Sequence, residues 1–191
     1  MPSRVISGKA KGKRLKLVPG DTTRPIMDRV KESLFDILGD VVGTRWLDLF
    51  AGTGQVGIEA LSRGAAEAVF VDRARAATQT IHDNLIHTGL EPGATVLRTD
   101  SLQFLSGPTG RPFDIIYIAP PQYMELWIKA LTAVDAAAGR LLTEEALVIV
   151  QIDPREFKEV SLTSLSLVDR RRYGNTALDF YQRNASLDER S

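Results

Sequence analysis

Short runs that are apolar along their whole length alternate in this chain with segments whose apolar positions recur at helical spacing. RWLDLF (45–50), AVFVD (68–72), TVLRT (95–99), FDIIYIA (113–119) and ALVIVQI (146–152) read as buried strands. PIMDRVKESLFDILG (25–39) reads as a helix: Val30, Leu34, Ile37 and Leu38 share a face, Pro25 suits the first turn, and Gly39 ends it. Further helices are expected from the glycine-rich turn 51–57 through about Arg63, over 74–89, over 101–106 and over 123–136. Two more strands are expected near 165–172 and 177–182, with only Tyr173-Gly174-Asn175 between them.

Strands and helices in alternation predict an α/β, Rossmann-like domain: a mostly parallel seven-stranded sheet with helices on both faces. The last two strands, having no helix between them, predict an antiparallel edge hairpin. No internal repeat, low-complexity stretch or second large domain is visible.

The formal net charge is zero, but it is unevenly placed. Residues 1–31 hold nine basic side chains against Asp21 and Asp28, a net +7, so the remainder nets −7. Within this arm KRLKLV alternates apolar and basic residues, and Gly8 and Gly12 punctuate the run. A basic β-hairpin over 1–23 fits better than a solvated tail. Lys9, Lys11, Lys13, Arg14 and Lys16 are its candidate RNA contacts. The main domain is expected over 24–185, and 186–191 as a disordered tail. There is no cysteine, and His82 and His87 are the only histidines, so no metal site is expected. No apolar run approaches the roughly 20 residues that cross a bilayer. With no apolar leader at the start, a cytoplasmic monomer is expected.

Gly52-Thr53-Gly54-Gln55-Val56-Gly57 follows a strand and opens a helix, and Asp72 lies at the end of the next strand. This is the context of a nucleotide-cofactor loop, in which the acidic residue accepts from ribose hydroxyls. NAD stays open on that pattern alone. Asp48 argues against it, since a carboxylate beside the loop repels a pyrophosphate and attracts a ligand bearing ammonium and sulfonium groups. S-adenosylmethionine has both. Asp100, after the third strand, completes a set of acidic residues along one rim.

The fourth strand runs into Ala119-Pro120-Pro121-Gln122-Tyr123. Two prolines fix the backbone and leave carbonyl acceptors without N–H donors. Methyltransferases of exocyclic base amines carry Asp/Asn-Pro-Pro-aromatic here, polarising the amine and stacking the base. This chain departs at Ala119 and at Gln122, with Tyr123 one step later as the stacking ring and Gln122 as a candidate acceptor.

DLFAGTG resembles the first motif of class I methyltransferases. By that resemblance Asp48 and the Ala51, Gly52, Thr53 and Gly54 backbone hold the methionine end of the cofactor, Asp72 the ribose and Asp100 the adenine amine, with Phe50, Arg73 and Ser101 also among the cofactor-binding residues. RVISGKAKGKRLK, TRPIMDRVKESLFDIL, WLDLFAGTGQVGIEALSRGA, LLTEEALVIV and RRYGNTALDFYQ together resemble bacterial 16S rRNA (guanine-N2)-methyltransferases of the guanine 966 type. The resemblance runs from Arg4 to about Gln182. It implies that Arg24, Arg29 and Glu32 belong to the cofactor or substrate pocket, and that the partner is ribosomal RNA, free or in an assembling small subunit. A catalytically silent cofactor-binding RNA protein, a DNA adenine methyltransferase and an NAD-linked oxidoreductase remain as alternatives.

Overall fold

The computed structural model describes residues 3–20 and 25–185, and Arg24 and the expected 186–191 tail lie outside them. Seven strands form one sheet: β1 (Arg45–Leu49), β2 (Glu67–Asp72), β3 (Ala94–Arg98), β4 (Phe113–Ile118), β5 (Leu142–Ile152), β6 (Leu165–Tyr173) and β7 (Thr176–Arg183). Their order is β3-β2-β1-β4-β5-β7-β6. The first five pair in parallel, and β7 runs antiparallel to both β5 and β6. The final hairpin therefore folds back so that β7 lies inside and β6 forms the edge.

Helices α1 (Asp28–Leu38), α2 (Gln55–Ser62) and α3 (Arg75–Thr88) cover one face, and α4 (Ser101–Ser106), α5 (Leu126–Ala136) and α6 (Ala138–Leu141) the other. The strands read as apolar throughout because both faces are buried. Trp46, Phe70, Tyr117 and Ile149 face α1–α3, whereas Leu47, Val71, Ile118 and Val150 face α4–α6. Phe35 of α1 stacks on Trp46 with ring centroids 5.4 Å apart.

Three local expectations shift. The first helix starts at Asp28 with Met27 as its cap, so Pro25 precedes it. The helix expected from 123 starts at Leu126, because Tyr123 and Glu125 adopt left-handed backbone (φ 60 and 54). β5 begins at Leu142, four residues ahead of the apolar run that announced it.

The basic N-terminal segment reverses on itself with one antiparallel bridge, Arg4 to Arg14, and buries Val5, Ala10 and Leu15. Its backbone is fastened to α1, α2 and α3 by buried polar side chains. Glu59 accepts the Ile6 and Ser7 amides at 2.9 and 3.0 Å, and Ser62 Oγ accepts the Ala10 amide at 2.9 Å. Lys31 Nζ donates to the Arg4 carbonyl at 2.7 Å and lies 3.7 Å from Glu59 Oε2. Asn84 of α3 accepts the Lys16 amide at 2.7 Å and donates to the Lys16 and Thr53 carbonyls at 3.2 and 3.0 Å.

Candidate cofactor and substrate site

β1 and β4 are neighbours whose onward connections run to opposite sides of the sheet. Open α/β sheets bind ligands outside the carboxyl ends of such strands. A cavity of about 910 Å³ lies there, near the upper end of the roughly 300–1,000 Å³ usual for small-molecule sites. Its walls carry Asp48, Gly52, Thr53, Asp72, Arg73, Asp100 and Ser101 on one side and Ala119, Pro120, Pro121 and Gln122 on the other. Phe50 and Ala51 also line it.

The glycine loop is built for close approach. Phe50, Gly52 and Gly54 all have positive φ, and a Cβ at Gly52 would meet nothing within 4 Å. Gly57 serves packing instead, since a Cβ there would sit 2.4 Å from Phe70 Cε1. That contact seats α2 against β2 and aims its N-terminus at the cavity.

Asp48 is 2% exposed and accepts the Gly57 amide at 3.2 Å. Burial pushes its carboxyl up to about 8, the Gly57 bond pulls the other way, and Asp72 adds to the rise. Asp72 accepts the Gly52 and Ala74 amides at 3.0 and 2.9 Å, which fixes the loop relative to the start of α3. Asp100 caps α4: its Oδ1 accepts the Leu102 and Gln103 amides at 2.9 and 3.0 Å, and its Oδ2 has no partner among the described residues. The three carboxylates thus order the rim as well as line it.

The donor set fits S-adenosylmethionine. The desolvated Asp48 gains most from a cation placed beside it. Gln55 Oε1, also on the cavity wall, is buried without a hydrogen-bond partner among the described residues, an acceptor awaiting a donor.

Other expected residues fall elsewhere. Arg29 and Glu32 are exposed and do not line the cavity, because α1 turns Val30, Lys31, Leu34 and Phe35 inward. Tyr123, expected as the stacking ring, does not line it either and is 60% exposed. Its hydroxyl donates to Asp153 Oδ2 at 2.7 Å and accepts from Arg155 at 2.7 Å, while its amide donates to Glu156 at 2.6 Å. These bonds hold the ring against the Pro154–Glu156 turn after β5. Lys9, Lys11 and Arg14 are exposed with no ion pair among the described residues. Lys13 donates to the His87 carbonyl at 2.7 Å, and Lys16 lies 3.2 Å from Asp83.

A family model described as Conserved hypothetical protein 95 matches residues 3–182. The chain belongs to this family. Ribosomal RNA small subunit methyltransferase D of Escherichia coli (strain K12) is 33% identical over 184 residues, covering 95% of this chain and 90% of its own length. YlbH of Bacillus subtilis (strain 168) is 40% identical over 184 residues, covering 94% and 98%. The solved structure of yhhF from Escherichia coli superposes with a TM-score of 0.82 at 34% identity, covering 97% of this chain and all of that one.

The cavity also holds residues that were not anticipated in this family member: Gln55, Tyr117, Gln151 and Thr176. The segment Leu17–Gly20, which leads out of the basic hairpin, runs along it too. Only Gln151 carried a local signal, as a polar residue interrupting the apolar run ALVIVQI.

Proposed function

We propose that this chain transfers a methyl group from S-adenosylmethionine to the N2 amine of a guanine in small-subunit ribosomal RNA. The observation that carries the cofactor is the buried Asp48 carboxyl beside the open glycine loop. The relatives named small subunit methyltransferase D, which span nearly the whole chain, support the substrate.

Bound there, the cofactor supplies an electrophilic methyl group; the protein's share is binding, orientation and exclusion of water. Asp48 and Gln55 hold the amino-acid end, with Phe50, Ala51 and the Gly52–Gly54 backbone beside it. Asp72 and Arg73 take the ribose, and Asp100 and Ser101 the adenine. Arg24, outside the described residues, is proposed to contact the cofactor or substrate. The Ala119–Gln122 turn meets the base: a guanine amine lends its lone pair to the ring, and acceptors on its hydrogens shift that pair back toward nitrogen. Lys9, Lys11 and Arg14 contact RNA phosphates, joined by Lys13 and Lys16 where their present partners release them. The chain acts as a cytoplasmic monomer on RNA in an assembling small subunit, with residues 1–23 as its RNA arm.

NAD fits less well, since its pyrophosphate brings no cation to the buried Asp48 and opposes its ionisation. Calorimetric titration with both ligands separates them: heat from S-adenosylmethionine and none from NAD is expected, and the reverse rejects the cofactor. Incubation with labelled S-adenosylmethionine and small-subunit RNA or particles, followed by nucleoside mass mapping, is expected to yield N2-methylguanosine. Cofactor binding without transfer to either substrate would make the chain a silent RNA-associated protein.

A further inference from the structure

We propose that Gln151 is the side chain that holds the target amine, from the strand beside Ala119, whose methyl group offers no acceptor. The inference rests on the guanine-N2 reading above. β4 and β5 pair in parallel with Ile118 opposite Val150, so one further step sets Ala119 beside Gln151. Both line the cavity. Alternation places Gln151 on the same sheet face as Ile149, which is the face of Tyr117 and Ala119. Gln151 is thus the polar side chain next to the place where the fourth strand delivers its ligand.

Its amide is already oriented. The Tyr117 hydroxyl donates to Gln151 Oε1. Tyr117 is 2% exposed, and burial together with the neighbouring Asp48 keeps that hydroxyl protonated far into the alkaline range, so it remains a donor. An amide oxygen has two lone pairs and the amide nitrogen two hydrogens. Tyr117 uses one of these four positions, and no other hydrogen bond to this side chain is formed among the described residues. The remaining lone pair accepts an N2 hydrogen of guanine. The adjacent N–H matches guanine N3, the acceptor next to that amine.

Gln122 is the rival, but it is exposed in a turn whose next residue is tied outward to Asp153 and Glu156. Gln151 stands on the rigid sheet. During transfer the N2 lone pair forms the N–C bond, the S–C pair returns to sulfur, and the surplus N2 proton leaves to water. The neutral amide orients the amine and takes no proton. Tyr117 is a positioning residue that acts through Gln151.

The test compares binding of the full chain to a small-subunit RNA hairpin carrying guanosine or inosine at the methylated position. Inosine lacks only the amine. Wild type is expected to prefer guanosine about threefold to tenfold, the value of one neutral hydrogen bond. Gln151→Ala should erase the preference and slow single-turnover transfer about tenfold, with S-adenosylhomocysteine affinity unchanged. Tyr117→Phe should reduce the preference without erasing it. Adding Ala119→Asn to Gln151→Ala should recover part of both, which a folding defect would not allow. A Gln151→Ala variant with wild-type preference and rate overturns the assignment, as does a wild type blind to the amine. Loss of preference in Gln122→Ala alone would move the role to Gln122. Wild type that transfers to no guanine in RNA or particles rejects the function itself, a result separate from any behaviour of the variants.

Discussion

The Asp48 carboxylate accepts the backbone amide of Gly57, nine residues on, and so lies at the N-terminus of the helix that the glycine loop opens. A helix start stabilises negative charge, yet burial prevails and leaves Asp48 protonated until about pH 8. A cationic ligand must therefore ionise it. Cofactor affinity should rise from pH 6 to 8, by up to about tenfold per unit, and level off above. The free protein should behave oppositely. Its folded state retains a proton that the unfolded chain gives up near pH 4, so this group's contribution to stability falls as pH rises to about 8, by at most about 1.4 kcal/mol per unit. Asp48→Asn should flatten both trends. Calorimetry and thermal melts across this range check them, and a pH-independent affinity would mean that Asp48 does not face the cation.

The basic arm offers a graded test. Lys9, Lys11 and Arg14 are unpaired among the described residues, whereas Lys13 and Lys16 are already engaged by α3. Neutralising the first three should weaken RNA binding and flatten its dependence on salt. The slope should fall by a little under one per lost phosphate contact on duplex RNA, by analogy with DNA. Lys16→Gln should change the slope less. Binding titrations at several salt concentrations decide, with cofactor affinity expected to hold.

Lys31 and Glu59 are both buried, and each neutralises the other while fastening the arm. Burial lowers the Lys31 pKa, opposed by the charges of Glu59 and Asp28. Lys31→Met leaves Glu59 as a buried charge whose remaining support among the described residues is Arg63 and backbone amides. A stability loss of about 3–5 kcal/mol is expected. The Lys31→Met, Glu59→Gln pair should lose less than the two single variants combined. Chemical denaturation measures all three.

Gly57→Ala should cost stability through Phe70, whose Cε1 lies 2.4 Å from the added carbon. About 1–3 kcal/mol is expected, the usual scale for overpacking. Phe70→Leu should recover part of it. A melting curve for Gly57→Ala that matches wild type would show that α2 can shift freely.

Where side-chain chemistry follows the strand–turn–helix order, the sequence was readable. The glycine loop and Asp48, Asp72 and Asp100 line one cavity because each parallel strand delivers its end to the same rim. What was not readable depends on pairing through space. Gln151 becomes a neighbour of Ala119 only once β5 is in register with β4. Tyr123 looked like a stacking ring beside Pro120-Pro121, but Asp153 and Arg155, far along the chain, decide where its hydroxyl goes. Arg29 and Glu32 fell on the solvent side because Lys31, the cation between them, turns inward to meet Glu59. No periodicity marks a buried lysine in advance.

Asn84 gives the molecule a mechanical property. Its one amide grips the backbone of Lys16 in the basic segment and the carbonyl of Thr53 in the glycine loop. Being fully buried, it has no water to replace a partner that leaves. A shift of either segment therefore disturbs the hydrogen bonds that hold the other. Under the proposed function, linkage then requires that whatever occupancy of the loop does to the grip on RNA, RNA returns in equal measure to the loop.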